Sequence, residues 1–213
     1  MRTYISTIGY HETRVTRPVL RNGLDDEDTV VLVRPAVEGD DRGEDAVEHV
    51  TAMLAEIAPG ATVETERIDV SEFTAATLAC SDLLLAAEGR PIVNLGGGAR
   101  ELFLPLAVAT ITHAPRVDTA FQYTDVGQEV RSFPLPNLTA TVPENTLPTL
   151  AAVVEHDKSS IVELATATDQ SKSTVSRHVS TLDQQGAVDT DNDGQTKRIT
   201  DTVTGRLLLR SNR

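Results

Sequence analysis

The apolar run Pro91 to Leu95 stops abruptly at three consecutive glycines, Gly96, Gly97 and Gly98, and helix-forming residues resume at Ala99. That order predicts a buried strand, a glycine turn and a helix start within Arg90 to Thr112. Glycines permit positive φ and leave amide groups bare. The first N–H groups of the following helix lack intrahelical partners and sit at the positive end of its dipole, so an anion is held well there. Arg100 in the first turn adds a planar fork of donors. Asn94 closes the strand with an amide that either braces the turn or reads a ligand edge. Glycines also permit close packing of a strand on its crossover helix, so both explanations stand at this point. The pattern is neither G-x-G-x-x-G nor a Walker A loop, because it does not follow the first strand and no Lys-Ser or Lys-Thr pair follows the glycines.

The segments around it alternate. Thr3 to Ile8 reads as a first strand ending at Gly9, and Tyr10 to Leu24 as a helix that starts late or bends at Pro18. Thr29 to Arg34 is a short buried strand, and Asp45 to Ala58 a helix with Val47, Val50, Leu54 and Ile57 on one side. Ala61 to Ile68 alternates as an edge strand does, and Ser71 to Ala87 is predicted helical with Ser71 as N-cap. Arg116 to Tyr123 and Val126 to Phe133 read as a closing hairpin around Thr124 and Asp125. Alternating strands and helices imply a mostly parallel α/β sheet, with ligands outside the carboxyl ends of its strands. The loop from Gly9 to Arg17 and the loop from Asn94 to Arg100 then face the same side.

Four of the ten prolines fall between Pro134 and Pro148, which suggests a domain of residues 1–134, a linker of 135–144 and a second domain of 145–213. In the second, Asn145 to His156 places Leu147, Leu150, Ala151 and Val154 on one face. Ser159 to Ala167 forms a helix capped by Ser159, and Ser171 to Gln185 a third with Val175, Val179 and Leu182 inward. Two short helices, a turn and a further helix make a helix-turn-helix. The outer face of the third helix carries Ser171, Lys172, Ser173, Thr174, Ser176, Arg177, His178 and Ser180, with no acidic residue between Gln170 and Leu182. Hydroxyls suit phosphate contacts, and Arg177 suits a guanine edge in the major groove. Ala187 to Asp189, a turn at Asp191 to Gly194 and Thr196 to Thr200 suggest a wing with Lys197 and Arg198 on its return strand, in an α+β domain. Asp189, Asp191 and Asp193 match DNA poorly, so the wing tip is expected to point elsewhere. Gly205 to Arg210 reads as a terminal helix.

Charge qualifies this. The net charge is −13, and only Lys158, Lys172 and Lys197 are lysines. Few lysines, many carboxylates and few aromatics suggest a salt-adapted chain. Acidic proteins repel nucleic acid in dilute salt, but near 1 M salt the screening length is about 3 Å and overall charge hardly governs approach. Cys80 is the single cysteine, so no intrachain disulfide forms. No apolar run approaches a membrane span and no signal peptide precedes the first strand, so a cytoplasmic protein is expected.

Taken together, TIGYHETRVTRPVL after the first strand, NLGGGARELFLPLA after the fourth, and IVELATATDQSKSTVSRHVSTLDQQGAV resemble the CRISPR-associated transcriptional regulators that join an N-terminal CRISPR-associated Rossmann fold (CARF) domain to a C-terminal winged helix. The first two motifs together are the specific ones. The resemblance implies a Rossmann-like mostly parallel sheet with a terminal hairpin, followed by a winged helix-turn-helix, in a homodimer that binds promoter DNA of CRISPR-associated genes. It also implies a pocket across the twofold axis for a cyclic oligoadenylate, the tetraadenylate first. An isologous interface offers identical loops to a ring of even symmetry. By motif match the ligand residues are Gly9, Tyr10, Thr13, Arg14, Arg17, Asn94, Leu95, Gly96, Gly97, Gly98, Ala99 and Arg100. This chain has Gly96 and Ala99 where relatives carry hydroxyls.

Relatives that cleave such a ring use its 2′-OH with a lysine or arginine stabilising charge, and Arg100 fits that role electrostatically. His11 is the only histidine beside a predicted loop, and a lone loop histidine reads first as a solvated side chain. The other histidines lie far apart without ligand spacing, so neither a metal nor another cofactor is expected. A sensor is therefore favoured over a ring nuclease. A regulator of another nucleotide or metabolite, and a protein-interaction module, are the remaining alternatives.

Overall fold

The computed structural model describes residues 1–156, 158–193 and 196–212. The chain divides into two compact units, Met1–Pro134 and Leu135–Arg213.

The first unit is built on a six-stranded sheet. Its strands are β1 (Thr3–Thr7), β2 (Thr29–Pro35), β3 (Thr62–Ile68), β4 (Ile92–Asn94), β5 (Thr119–Tyr123) and β6 (Val130–Phe133), in the spatial order β3-β2-β1-β4-β5-β6. All neighbours are parallel except β5 and β6. Ile5 lies between Val31 and Val93, and Ser6 between Leu32 and Asn94. The chain order reverses between β1 and β4, so the loops leaving those two strands diverge and open a crevice at their carboxyl ends.

Four helices cover the sheet: α1 (Thr13–Asn22), α2 (Asp41–Ile57), α3 (Phe73–Ala86) and α4 (Arg100–Thr112). Side chains alternate across a strand. Tyr4, Val30, Leu32 and Ile92 pack in one cluster with Val15 and Val19 of α1 and Val50 and Leu54 of α2. Ile5, Val31, Val33 and Val93 have the opposite parity and are also buried. Cys80 is buried in α3, and desolvation pushes its thiol up to about 11. Edge strand β3 keeps Glu64, Glu66 and Arg67 toward solvent, which blunts an open edge.

Several local expectations are corrected. Helix α2 starts at Asp41 and not Asp45, because the Asp40 carboxylate accepts the Gly43 amide at 3.1 Å and caps it. Its buried face runs through Ala46, Val50 and Leu54, and Ile57 is exposed. Ser71 is not the cap of α3, which begins at Phe73. The Ser71 amide instead donates to Asp69 at 2.8 Å, holding that carboxyl below its usual range. The hairpin loop spans Thr124–Glu129 and not two residues. Thr124 and Glu129 close it at 2.9 Å, with Gln128 at φ 48° and Val126 fully exposed.

The second unit contains α5 (Leu147–His156), β7 (Ser159–Ser160), α6 (Ile161–Thr168), α7 (Lys172–Gln184), β8 (Val188–Asp193), β9 (Thr196–Asp201) and α8 (Val203–Ser211). The three strands form an antiparallel sheet in the order β7-β9-β8, and with the helices they make a winged helix-turn-helix. Leu150, Val153, Leu164, Val175, Val179, Leu182 and Ile199 form its core. Ala151, expected inward, is exposed, while Thr149 and Ala152 are buried in its place. Helix α6 is capped by Ser160, whose hydroxyl accepts the Glu163 amide while Glu163 accepts the Ser160 amide. Ser159, expected as the cap, lies one residue earlier and is buried opposite Ile199 in the sheet.

The stretch read as a linker is held by this unit. The Asn137 amide donates to Thr204 Oγ1 at 2.9 Å, the Thr141 amide to Gln185 Oε1 at 3.3 Å, and Ala140 is buried. Of the turn expected at Asp191 to Gly194, residues 191–193 belong instead to β8, and Gly194 lies outside the described residues.

Candidate ligand cavity and nucleic-acid interface

A cavity of about 630 Å³ opens at the carboxyl ends of β1 and β4, a size ordinary for small-ligand sites. The β1–α1 loop lines it with Gly9, Tyr10 and His11, and α1 adds Arg14. The β4–α4 turn contributes Gly97, Gly98 and Ala99, and the first turn of α4 adds Glu101. The opposite wall comes from loops after β2 and β3, through Pro35, Val37, Gly39, Asp40 and Val70.

The glycine turn is demanded by packing. A methyl group on Gly96 would overlap the backbone nitrogen of Tyr123, and one on Gly98, at φ +85°, would come within 2.6 Å of Thr7 Cβ. Hydroxyl side chains at position 96 are therefore incompatible with this turn. Glycine content alone does not identify a ligand site. The amides do more. Gly96 N–H donates to Asn94 Oδ1 at 3.0 Å. Among the described residues, no protein acceptor takes the amides of Gly97, Gly98 and Ala99. Ala99 is also the N-cap of α4 and supplies no side-chain cap. A row of unpaired donors thus meets the positive end of the helix dipole at the cavity wall.

Asn94 and Leu95 are scaffold. Asn94 is buried, its amide donating to Ser6 Oγ and to the Arg14 carbonyl, both at 2.8 Å, and Leu95 is buried in the core. Of its two sequence alternatives, Asn94 braces the turn. Thr13, Arg17 and Arg100 are exposed and lie outside the cavity lining. Arg17 donates to Tyr123 Oη at 3.1 Å and to the Gln128 carbonyl at 3.4 Å, with its guanidinium 5.8 Å from the Tyr123 ring. Arg14 does reach the cavity and is ion-paired to Asp125 of the β5–β6 loop at 2.7 Å. Tyr10 is half-exposed, with the Arg42 guanidinium 4.4 Å from its ring centroid.

The wall from β2 and β3 was missed by reading motifs. Those loops leave the sheet at the same end as the two glycine-bearing loops, so the parallel topology is the signal that finds them. Arg34, at 2 % exposure, pairs with Asp40 at 2.7 Å behind this wall, and its Nε is buried without a partner among the described residues.

In the second unit, Ser171 caps α7, accepting the Thr174 amide at 3.1 Å with Ser173 Oγ at 2.9 Å. Lys172, Ser173, Ser176 and Arg177 are exposed along one face, and Thr174 is half-buried. Lys172, Arg177 and the exposed Lys197 have no ion-pair partner among the described residues. His178 does not belong to this face. It is 5 % exposed, with Nδ1 2.9 Å from Thr149 Oγ1, and burial followed by repulsion from Arg177 lowers its pKa. Helical spacing put it one position too far round, on the side facing α5. Arg198 is partly committed, 3.4 Å from Glu163 and opposite Asp191 on β8.

A family model described as the Csa3 CRISPR-associated Rossmann-like domain matches residues 2–133. A second, described as HVO_A0114, matches residues 142–202. No curated protein matches the chain. Among solved structures, Bordetella bronchiseptica BpsR is 22% identical, covering 33% of this chain and 60% of its own, with a TM-score of 0.31. MepR, a regulator of a Staphylococcus aureus multidrug efflux pump, is 23% identical over 33% of this chain and 54% of its own, TM-score 0.31. Enterococcus italicus Csm6 is 10% identical over 100% of this chain and 45% of its own, TM-score 0.48. The alignments thus span less than two thirds of each of these three proteins. No helix among the described residues is long and apolar enough to cross a membrane.

Proposed function

The chain belongs to the Csa3 CRISPR-associated Rossmann-like (CARF) family through residues 2–133, and on that premise we propose that it is a DNA-binding transcriptional regulator of CRISPR-associated genes whose sheet domain senses a cyclic oligoadenylate. The observation that carries this is the row of amides at Gly97, Gly98 and Ala99, unpartnered among the described residues and lining, with Arg14, the crevice between β1 and β4. Such donors suit a phosphodiester, whose single negative charge and two free oxygens accept several N–H groups at once.

The working unit is a homodimer. Phe73, Leu78 and Leu85 on α3 and Phe103, Leu104 and Val108 on α4 are exposed. Surface helices that are apolar all round are normally covered. A twofold axis presents two copies of each loop to a ring with matching halves. DNA is read by α7, with Arg177 on base edges and Lys172, Ser173, Ser176 and Lys197 on phosphates. A dimer then contacts half-sites about 34 Å apart, one helical turn.

The test is titration of the purified protein with cyclic tetraadenylate, NAD and ATP, followed by thermal unfolding and by binding to promoter DNA of CRISPR-associated genes. Stabilisation by the ring alone, with altered DNA affinity, is the expected result. No shift with any nucleotide would remove the sensor assignment. His11 lies in the same cavity, so chromatography of the ring after incubation separates a sensor, which returns it intact, from a ring nuclease, which yields linear products.

A further inference from the structure

Arg14, Arg17 and Arg21 fall on one face of α1, and all three reach the β5–β6 hairpin. Arg21 Nη1 donates to the Val130 carbonyl at 2.5 Å, where β6 begins. Arg17 donates to Tyr123 Oη and to the Gln128 carbonyl. Arg14 takes Asp125 in the loop itself. The acceptors of Arg17 and Arg21 are neutral, whereas Arg14 holds its partner through an ion pair. Of the three arginines, Arg14 is also the one that lines the cavity.

We propose that the β5–β6 loop is a latch, closed by Arg14 on Asp125 and released when an anion on the glycine turn draws Arg14 away. This deepens the sensor assignment above by naming how an occupied site signals, and it rests on that assignment. The turn lies against both parts of the latch. A Cβ on Gly97 would stand 3.3 Å from Arg14 Cβ, so the arginine stem runs along the turn. A Cβ on Gly96 would overlap the Tyr123 backbone nitrogen, so the turn also abuts the residue at which β5 gives way to the loop. An anion on the amides of Gly97 to Ala99, unpartnered among the described residues, therefore shares Arg14 with Asp125. Two negative charges on one cation repel each other. Asp125, exposed on its loop, is the one that water can take.

The loop is built to move as one piece. Thr124 and Glu129 close it, the Gln128 amide donates to the Thr124 carbonyl at 2.9 Å, and Thr124 Oγ1 accepts the Glu129 amide at 3.3 Å. Those bonds lie within the loop and survive its release. Val126, fully exposed, adds no packing that resists it. Arg17 and Arg21 stay on the base of the hairpin as its hinge. Strand β6 ends at Phe133, the second unit begins at Leu135, and the Asn137 amide is already bonded within that unit. A change in how β6 is held thus passes along the chain into the DNA-binding unit through Pro134. A ligand shifts such an equilibrium only by its different affinity for the two states, and the difference here is the partner of Arg14.

The experiment places a nitroxide on Val126→Cys in the full chain and reads the ratio of mobile to immobile spectral components. Cys80 does not compete for the label, because it is buried and its thiol is pushed up to about 11. In about 0.1 M salt, cyclic tetraadenylate should raise that ratio about fivefold, the worth of one exposed ion pair. Adding Asp125→Asn should give the raised ratio without ligand, and the ring should then change it no further. Calorimetric titration of the same samples reports binding separately. Binding of the ring with an unchanged or lowered ratio would overturn the latch and leave the sensor assignment standing, as would an Asp125→Asn ratio equal to that of the parent. Absence of binding would overturn both.

Discussion

Arg14 Nη2 lies 2.7 Å from Asp125 Oδ1, so the arginine lining the cavity is already held by a carboxylate from the β5–β6 loop. Any phosphate that uses Arg14 must compete with Asp125. The pair is more than a third exposed, with side chains 36% and 72% accessible, so its worth is about 1 kcal/mol or less. Asp125→Asn should therefore raise affinity for a ring adenylate by up to about fivefold in 0.1 M salt. Near 1 M salt the gain should vanish as charges are screened. Titrations at the two salt concentrations check this, and equal affinities at low salt would show that Arg14 is not used.

Gly98→Ala should destabilise the first unit by about 2 kcal/mol or more, because the residue sits at φ +85° and its new methyl meets Thr7 Cβ at 2.6 Å. Gly39→Ala, at φ +72° but with nothing within 4 Å, should cost only the backbone strain, about 1 kcal/mol. Urea unfolding of both variants measures the difference, which reports the packing contribution alone.

Arg34 is a buried guanidinium with one carboxylate partner among the described residues, Asp40. Asp40→Ala leaves that charge unpaired and uncaps α2, at an expected cost of about 3–5 kcal/mol. Adding Arg34→Met should recover most of the loss, since removing both charges avoids the uncompensated ion. A double-mutant cycle by denaturant unfolding checks the recovery.

His178 has its pKa lowered by burial in the second unit. Its folded form therefore binds a proton more weakly than its unfolded form. The sign follows from linkage: stability is retained above the unfolded value near 6.5 and falls as pH drops from there toward the folded pKa. His178→Gln should flatten that fall. Thermal unfolding between pH 7 and pH 5 tests it, and an unchanged slope would mean the histidine titrates freely.

On DNA, Arg177→Ala should cost about 1–3 kcal/mol and relax preference at one base pair. Lys197→Ala should weaken all sequences evenly and reduce the salt dependence by about one counterion. His178→Gln should leave sequence preference unchanged because that ring is inside. Anisotropy titrations against the operator and a scrambled duplex separate the three.

The two glycine-bearing loops, the edge character of β3, the helix-turn-helix and the polar face of α7 were legible as sequence, because each depends on local pattern: turn glycines, alternation, capping and 3.6-residue periodicity. Where caps competed, local pattern failed. Ser159 and Ser160 are equally good caps on paper, and the reciprocal bonds between Ser160 and Glu163 identify Ser160 as the cap. His178 likewise looked like its polar neighbours until α5 was packed over it through Thr149.

By itself the chain determined its classes of element and its family, since hydrophobic period and glycine placement act over short spans. Tertiary structure alone decided which groups remain free. Asn94 and Leu95 are consumed by the scaffold, while the amides of Gly97 to Ala99 have no acceptor among the described residues and Arg14 is taken by Asp125. Asp40 and Val37, more than fifty residues from the glycine turn, join it at the cavity because parallel strands end at one edge of the sheet. Hydrogen-bond capacity and burial are shared among residues distant in sequence, so they are settled only when the chain has closed on itself.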